Sequence, residues 1–203
     1  METLKELLEK SNLTYLQLVN CEADDLIASF ITQNQTKDPT MTFDIFTRDK
    51  DLLQLLSKNI NILKYIDGKI TLYTAEHFQK EYNFPASHYT DYLSLIGDKV
   101  DNIEGVKGIG PVNAKNLIQK FGKMENIHQN IASLPTPIRK LVENNQELTL
   151  LNRKIIILEK NVPMPSELYQ KCDFSWEKLK NNQVLQDFCL ENHFKSILKL
   201  LER

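Results

Sequence analysis

Asp67-Gly68 stands between two β-prone runs, Ile60–Ile66 and Lys69–Tyr73. An Asp-Gly pair readily takes the positive φ angles of a two-residue hairpin turn, so the two runs are expected to pair antiparallel. Residues 42–47 (TFDIFT) are β-branched and aromatic and read as another strand. Residues 15–19 form a further short β-prone run. Helical periodicity marks residues 3–10, with Leu4, Leu7 and Leu8 on one face, and residues 22–34, with Leu26, Ile27 and Phe30 on one side. It also marks a short helix at 51–56, a helix capped by Thr74 that carries Phe78 and Tyr82, and another at 85–96. From Gly97 onward the pattern is helical, apart from residues 149–163, whose β-branched run and prolines predict an extended segment. Two helices are expected from Asp173 on. Strand and helix alternate up to about residue 82, which predicts an α/β fold: a small, partly parallel sheet followed by a helical region.

Composition excludes several classes. The chain has 203 residues, 41% hydrophobic and 26% charged, which is globular and long enough for a sizeable core. No apolar run approaches the ~20 residues of a membrane span. The amphipathic start has mixed charge and fits neither a secretory signal nor a transit peptide. Cys21, Cys172 and Cys189 are odd in number and far apart, with no CxxC pair. That weighs against a disulfide scaffold or a zinc ribbon and suits a reducing cytoplasm. The net charge is −2. It is unevenly spread, with acids in excess over residues 1–97 and bases in excess over residues 98–154.

Three acidic clusters are candidates for chemistry. Glu22, Asp24 and Asp25 follow a β-prone run and open a helix. Asp49 and Asp51 follow the strand at 42–47 and open another. Asp98 and Asp101 lie in GDKVDN, after the helix ending near Ile96. Sites in open α/β sheets form at the carboxyl ends of strands. Carboxylates gathered there repel one another unless cations neutralise them, and hard divalent cations prefer oxygen ligands. Two such ions ~3.5–4 Å apart can clamp the attacking and leaving oxygens of a phosphodiester. Each cluster also has a plainer reading, because the helix dipole favours acids in a first turn without any metal.

A second motif runs from Gly105 through Lys107, Gly108, Gly110, Pro111 and Asn113 to Lys115, and its helix ends at Phe121-Gly122. Its glycines permit a tight turn and close backbone approach. Pro111 suits a first helical position, Leu117, Ile118 and Phe121 form an apolar face, and Gly122 is a C-terminal stop. Free N–H groups at the helix start, with Lys107 and Lys115, make an anion site that can grip a nucleic-acid backbone without reading bases. The plainer reading is a glycine-rich connector between packed helices. His77, His88, His128 and His193 show no ligand spacing. Trp176, Phe188, Phe194 and Leu198 fall on helical faces and read as core. Ser and Cys residues have no evident partner base.

The segments NCEADDLIASF, FTRDKDLLQLL, DYLSLIGDKVDNIEGVKGIGPVNAKNLIQKFG and LQDFCLENHFKSILKLL resemble, in order and spacing, the 5′ nuclease domain of bacterial DNA polymerase I and its flap endonuclease relatives. The resemblance implies a PIN-like α/β nuclease core over residues 1–97. It implies a helical 5′-3′ exonuclease C-terminal region over residues 98–203, with a helix-hairpin-helix (H3TH) motif at about 98–122. It also implies hydrolysis of 5′-ended or flapped DNA with two Mg²⁺ or Mn²⁺ ions. Glu22, Asp24 and Asp25 would serve the first ion, and Asp49, Asp51, Asp98 and Asp101 the second. The carbonyls of Val106 and Ile109 would hold a monovalent cation such as K⁺, and Gly105, Lys107, Gly108, Gly110, Asn113 and Lys115 would contact the DNA backbone. In the family a further segment precedes the part matched here, with two metal-binding aspartates and a helical arch. The expectation is therefore a truncated sheet with an open apolar edge. The chain would then be a fragment, a DNA-binding remnant, or a piece that assembles with a separate N-terminal polypeptide or a second copy. No membrane partner is expected.

Overall fold

In the computed structural model, β1 (Phe43–Phe46), β2 (Ile60–Ile66) and β3 (Lys69–Tyr73) form one sheet in that order. The structure describes residues 2–165, 168 and 175–202, so Cys172 and the helix start expected at Asp173 lie outside the described residues. β1 and β2 run parallel with Phe43 opposite Ile60, joined through a 3₁₀ turn at Asp51–Leu55. β2 and β3 run antiparallel through Asp67 and Gly68, at φ 49° and 79°, as the Asp-Gly pair predicted. Ile45, Ile60 and Ile62 point inward and are buried together with Leu52, Leu53 and Leu55 of the 3₁₀ turn. The register sets Phe46, Leu63 and Leu72 in one row across the opposite face, and Tyr65 beside Ile70. Of these, Phe46, Tyr65, Ile70 and Leu72 are exposed.

The chain divides into two compact units, residues 24–162 and residues 1–23 with 163–203. In the larger one, α2 (Ala23–Lys37) buries Leu26, Ala28 and Ile31, and Phe30 meets Phe43 edge-on at 6.3 Å. α3 (Ala75–Tyr82) begins with a capping box between Thr74 and His77 and ends at Asn83, φ 62°. It contributes Phe78 and Tyr82 to an aromatic cluster with Phe84, Tyr89 and Tyr92, ring centroids 4.3–6.0 Å apart. α4 (Tyr89–Ile96) is buried from Tyr89 to Leu95. Two-residue strands β4 (Gly97–Asp98) and β5 (Ile103–Glu104) close a small loop after it. Then come α5 (Pro111–Phe121), α6 (Met124–Gln129), α7 (Thr136–Asn144) and α8 (Gln146–Ile156).

α8 corrects one expectation, since residues 149–156 are helical and residues 157–163 form neither helix nor strand. Thr149, Asn152 and Ile156 form the buried face of α8, at helical spacing, and α8 packs against α4. The β-branched residues favour a strand in isolation, but burial of this stripe outweighs a propensity worth a few tenths of a kcal/mol per residue. A second correction concerns residues 15–19, which form no strand. They join no ladder among the described residues, and the Tyr15 hydroxyl bonds Glu9 instead.

In the smaller unit, α1 (Glu2–Lys10) packs against α10 (Gln183–Glu191), which packs against α11 (Lys195–Leu201). Leu185, Cys189 and Leu201 form its core with Leu7, Leu179, Phe194, Ile197 and Leu198. The described residues after 174 hold three helices rather than two, because α9 (Trp176–Lys180) stops before Asn182. Asn182 caps α10 by accepting from the Leu185 N–H at 3.0 Å, and its amide donates to the Lys10 carbonyl at 2.6 Å. Trp176 is exposed, whereas Phe188 is buried. No helix among the described residues is long and apolar enough to cross a membrane.

Candidate active site

The loop after β1 turns on its own side chains. The Asp49 N–H donates to Thr47 Oγ1 at 3.0 Å, and Asp49 Oδ1 accepts from the Asp51 N–H at 2.9 Å. These Asx and Thr turns aim Asp49 and Asp51 together at the start of the 3₁₀ turn. α4 ends at Gly97, φ 76°, and Asp98 follows with Oδ1 accepting from the Val100 N–H at 2.9 Å. One carboxylate oxygen from each of Asp51, Asp98 and Asp101 lies within 4.8 Å of the others.

The charges are unevenly met. Asp98 is buried and ion-paired with Lys50. Burial works to raise its carboxyl, but Lys50 and the N–H groups of Val100 and Asp101 outweigh it and hold the group below its ordinary value. Asp51 has less help. Burial, then the charges of Asp49, Asp101 and Asp98, push it up to about 6, with only Lys50 opposing. Its Oδ1 is buried and has no hydrogen-bond partner. The Asp101 carboxyl is raised by desolvation and by Asp98 and Asp49. A buried Asp51 oxygen with no hydrogen-bond donor, facing three other acids, is a poor resting arrangement for the protein alone. All the available donors are carboxylate oxygens, the set a hard divalent cation takes.

Asp24 and Asp25 open α2, and their nearest carboxylate oxygens come within 4.8 Å. Asp24 Oδ1 accepts from the Asp25 N–H, and Asp25 Oδ1 accepts from the Glu159 N–H at 2.7 Å. Glu22 precedes this turn and is exposed. The contact with Glu159 belongs to a seam that sequence reasoning missed. Ser29 donates to the Glu159 carbonyl at 3.1 Å and accepts from the Val162 N–H at 3.0 Å, and Gln33 donates to the Val162 carbonyl at 2.8 Å.

The glycine motif is a hairpin. Ile109 N–H donates to the Val106 carbonyl at 2.9 Å, and Gly108 sits between them at φ 97°, the position in a type II turn that requires positive φ. Gly105 faces Gly97 so closely that an added Cβ would stand 2.2 Å from the Ile96 carbonyl carbon. The Val106 and Ile109 side chains are buried and pin the loop to the core. Lys107 is exposed at its tip, with Gly108, Gly110 and Asn113 exposed around the start of α5. Lys115 is placed differently. Its ammonium donates to the Glu81 carbonyl at 3.0 Å and lies 4.7 Å from the Tyr82 ring centroid.

Three buried polar residues without a motif position these parts. Asn152 donates to the Ser94 carbonyl at 3.1 Å and to the Glu104 carbonyl at 2.7 Å, tying α8 to the end of α4 and to β5. Gln54 donates to the Ile156 carbonyl and accepts from the Leu158 N–H and from Thr90. Asp91 accepts from Arg153 at 2.8 Å and from the Met124 N–H at 3.1 Å. Nothing local in the sequence distinguishes these from surface amides and ion pairs.

Comparison with known proteins bears on this arrangement. Residues 1–83 match the model of the 5′-3′ exonuclease N-terminal resolvase-like domain, and residues 84–182 that of the 5′-3′ exonuclease C-terminal SAM fold. The chain belongs to the 5′-3′ exonuclease family. It is 32% identical over 203 residues to a DNA polymerase I of Caldicellulosiruptor bescii, covering 98% of this chain and 23% of that one. It is 32% identical over 198 residues to a 5′-3′ exonuclease of Mycoplasma genitalium, covering 94% of this chain and 66% of that one. The chain thus spans under a quarter of the polymerase and about two thirds of the exonuclease. Its fold is similar to that of a bacteriophage T5 5′-exonuclease mutant, TM-score 0.63 at 21% identity, covering 98% of this chain and 75% of that one. It is also similar to that of the catalytic core of Rad2 in complex with DNA substrate, TM-score 0.58 at 18% identity, covering 98% and 68%. Another T5 5′-exonuclease structure is described with bound zinc, TM-score 0.64 at 21% identity, covering 94% and 66%.

Proposed function

We propose that this chain hydrolyses DNA phosphodiesters as a 5′-3′ exonuclease or flap endonuclease of the cytoplasm. The chemistry would be two-metal, and the duplex would be held without regard to sequence. The carrying observation is Asp51 Oδ1, buried without a partner among the carboxylates of Asp49, Asp98 and Asp101. Family membership and the DNA named with the Rad2 relative support the substrate class.

Asp49, Asp51, Asp98 and Asp101 would hold one divalent cation, Mg²⁺ or Mn²⁺, and Asp24 and Asp25 with Glu22 would hold another. Bound there, divalent cations supply charge neutralisation and Lewis-acid activation of a water for attack on phosphorus. The protein's part is positional. The Asp49 and Asp98 turns fix the carboxylates, and Lys50 keeps Asp98 ionised. Lys107 and the exposed N–H groups at the start of α5 hold a phosphate of the duplex. The Val106 and Ile109 carbonyls suit a monovalent cation at the same place. Catalytic work thus falls mainly before residue 98 and the duplex grip after it.

The test is a labelled 5′-flap duplex incubated with Mg²⁺ or Mn²⁺, beside the Asp98→Ala/Asp101→Ala double variant. Cleavage by the wild type alone is the expected result. Salt-sensitive binding without cleavage would contradict the proposal and leave a DNA-gripping module.

A further inference from the structure

One face of the β1–β2–β3 sheet is core, and the other is apolar and open to water. Strand alternation turns Ile45, Ile60 and Ile62 inward and sets Phe46, Leu63, Tyr65, Ile70 and Leu72 on the opposite side. Phe46 is 65% exposed, Ile70 61%, Tyr65 51% and Leu72 48%. Leu63 is half-buried between Phe46 and Leu72, its partners across the strands. Together these side chains leave about 400 Å² of apolar surface in one contiguous patch, the size that marks an interaction surface on a globular protein. No charged side chain interrupts it. Charge stands at its two ends on β1. Asp44 is at one end, where its Oδ1 accepts from Asn61 Nδ2 at 2.9 Å. Arg48 is at the other, two positions beyond Phe46, exposed and without an ion pair among the described residues.

This layout is complementary to itself. Sheets that stack face to face lie about 10 Å apart with their strands within about 30° of alignment. A two-fold axis across the strands, along the Phe46–Leu63–Leu72 row, brings the patch onto its own copy with the strands running oppositely. Each apolar residue of the row then meets its counterpart, and Arg48 of each copy comes over Asp44 of the other. An axis along the strands would set β1 over β3 instead and leave both charges without a partner. We infer that the open face of this sheet is a self-association surface, on which two copies of this chain pack sheet against sheet with Arg48 of each on Asp44 of the other. The patch is small for a specific interface, so the pair is weak and concentration-dependent. It does not depend on the nuclease reading.

Sedimentation velocity of the full chain at low salt, from about 5 μM to about 0.5 mM, tests the pairing. A reversible monomer–dimer equilibrium is expected with a Kd on the order of 0.1 mM. Phe46→Lys and Ile70→Lys should each weaken it at least about tenfold while the circular dichroism stays that of the folded chain, because both positions face water in the monomer. Arg48→Asp sets acid against acid at both ends and should also weaken it about tenfold. The charge swap Asp44→Arg/Arg48→Asp should restore the dimer to within about twofold of the wild type, since it exchanges the partners without losing either pair. A monomer over the whole range would overturn the inference. So would a dimer lost with Phe46→Lys and kept with Ile70→Lys, which would indicate pairing along the free edge of β1. A folded swap variant that stays as weak as Arg48→Asp would overturn the antiparallel stacking, and a dimer indifferent to all four variants would place the interface elsewhere.

Discussion

Asp51 is held in place by its neighbours and stabilised by none of them except Lys50. A half-buried carboxylate facing three others costs folding free energy in the metal-free chain. Asp51→Asn keeps the shape and removes the charge. Its expected effect is a rise in the metal-free melting temperature of about 2–4 °C, with loss of most of the further rise that Mn²⁺ gives the wild type. Thermal unfolding with and without Mn²⁺ checks both, and a variant that melts lower without metal would contradict the account. His128 gives the pH prediction. Burial lowers its pKa, against the pull of Glu125, and its ring lies 3.2 Å from Thr149 Oγ1. The unfolded chain therefore takes up this proton first, and the neutral ring's contribution is full above about pH 6.5 and lost as pH falls through the lowered value. Calorimetry between pH 7.5 and 5 should show the wild type losing stability more steeply than His128→Gln. At this scale the acids were legible as candidates because carboxylates cluster visibly. Lys50 as partner of Asp98 was not, since an ion pair across 48 positions leaves no local trace.

The hairpin before α5 is where sequence and structure agree most closely. Gly108 carries the positive φ its turn needs, Pro111 begins the helix, and Gly122 ends it at φ 73°. Gly108→Ala is expected to cost about 1–2 kcal/mol, from the strained φ and a Leu141 methyl 3.0 Å from the new Cβ. Denaturant melts measure it. The lysines separate by position. Lys107→Ala should weaken duplex binding about tenfold and lower its salt dependence, whereas Lys115→Ala should weaken it less, because that ammonium is already spent on Glu81 and Tyr82. Fluorescence anisotropy at several salt concentrations distinguishes them, and equal losses would contradict the placement of Lys115. The β2–β3 hairpin was equally legible, because Asp67-Gly68 acts locally. Residues 149–156 were not, because their helix is decided by α4, more than fifty positions away in sequence.

For the larger unit as a whole, α4 is the centre on which the site depends. It is buried on nearly every side, carries Asp91 at one end and delivers Asp98 at the other. Asn152 clamps that second end through two carbonyls. Asn152→Leu strands both acceptors and should cost about 2–4 kcal/mol. Cleavage should fall more than the folded fraction does, since Asp98 and the hairpin lose a common support. Urea melts beside single-turnover cleavage test this, and activity falling only in step with folding would contradict it. Alternation of strands and helices revealed the architecture in outline, but the polar ties of Gln54, Ser29 and Asn152 exist only between distant segments. The same holds for the row of Phe46, Leu63 and Leu72, which follows from strand register and cannot be read from any one strand.

Catalysis as proposed requires that Asp51, Asp98 and Asp101 hold a divalent cation. Anomalous diffraction from crystals grown with Mn²⁺ tests this most directly. The expected result is a manganese peak in contact with Asp51 Oδ1 and with at least one oxygen of Asp98 or Asp101, lost in Asp51→Asn. Crystals with manganese only elsewhere, or none at saturating Mn²⁺, would contradict it.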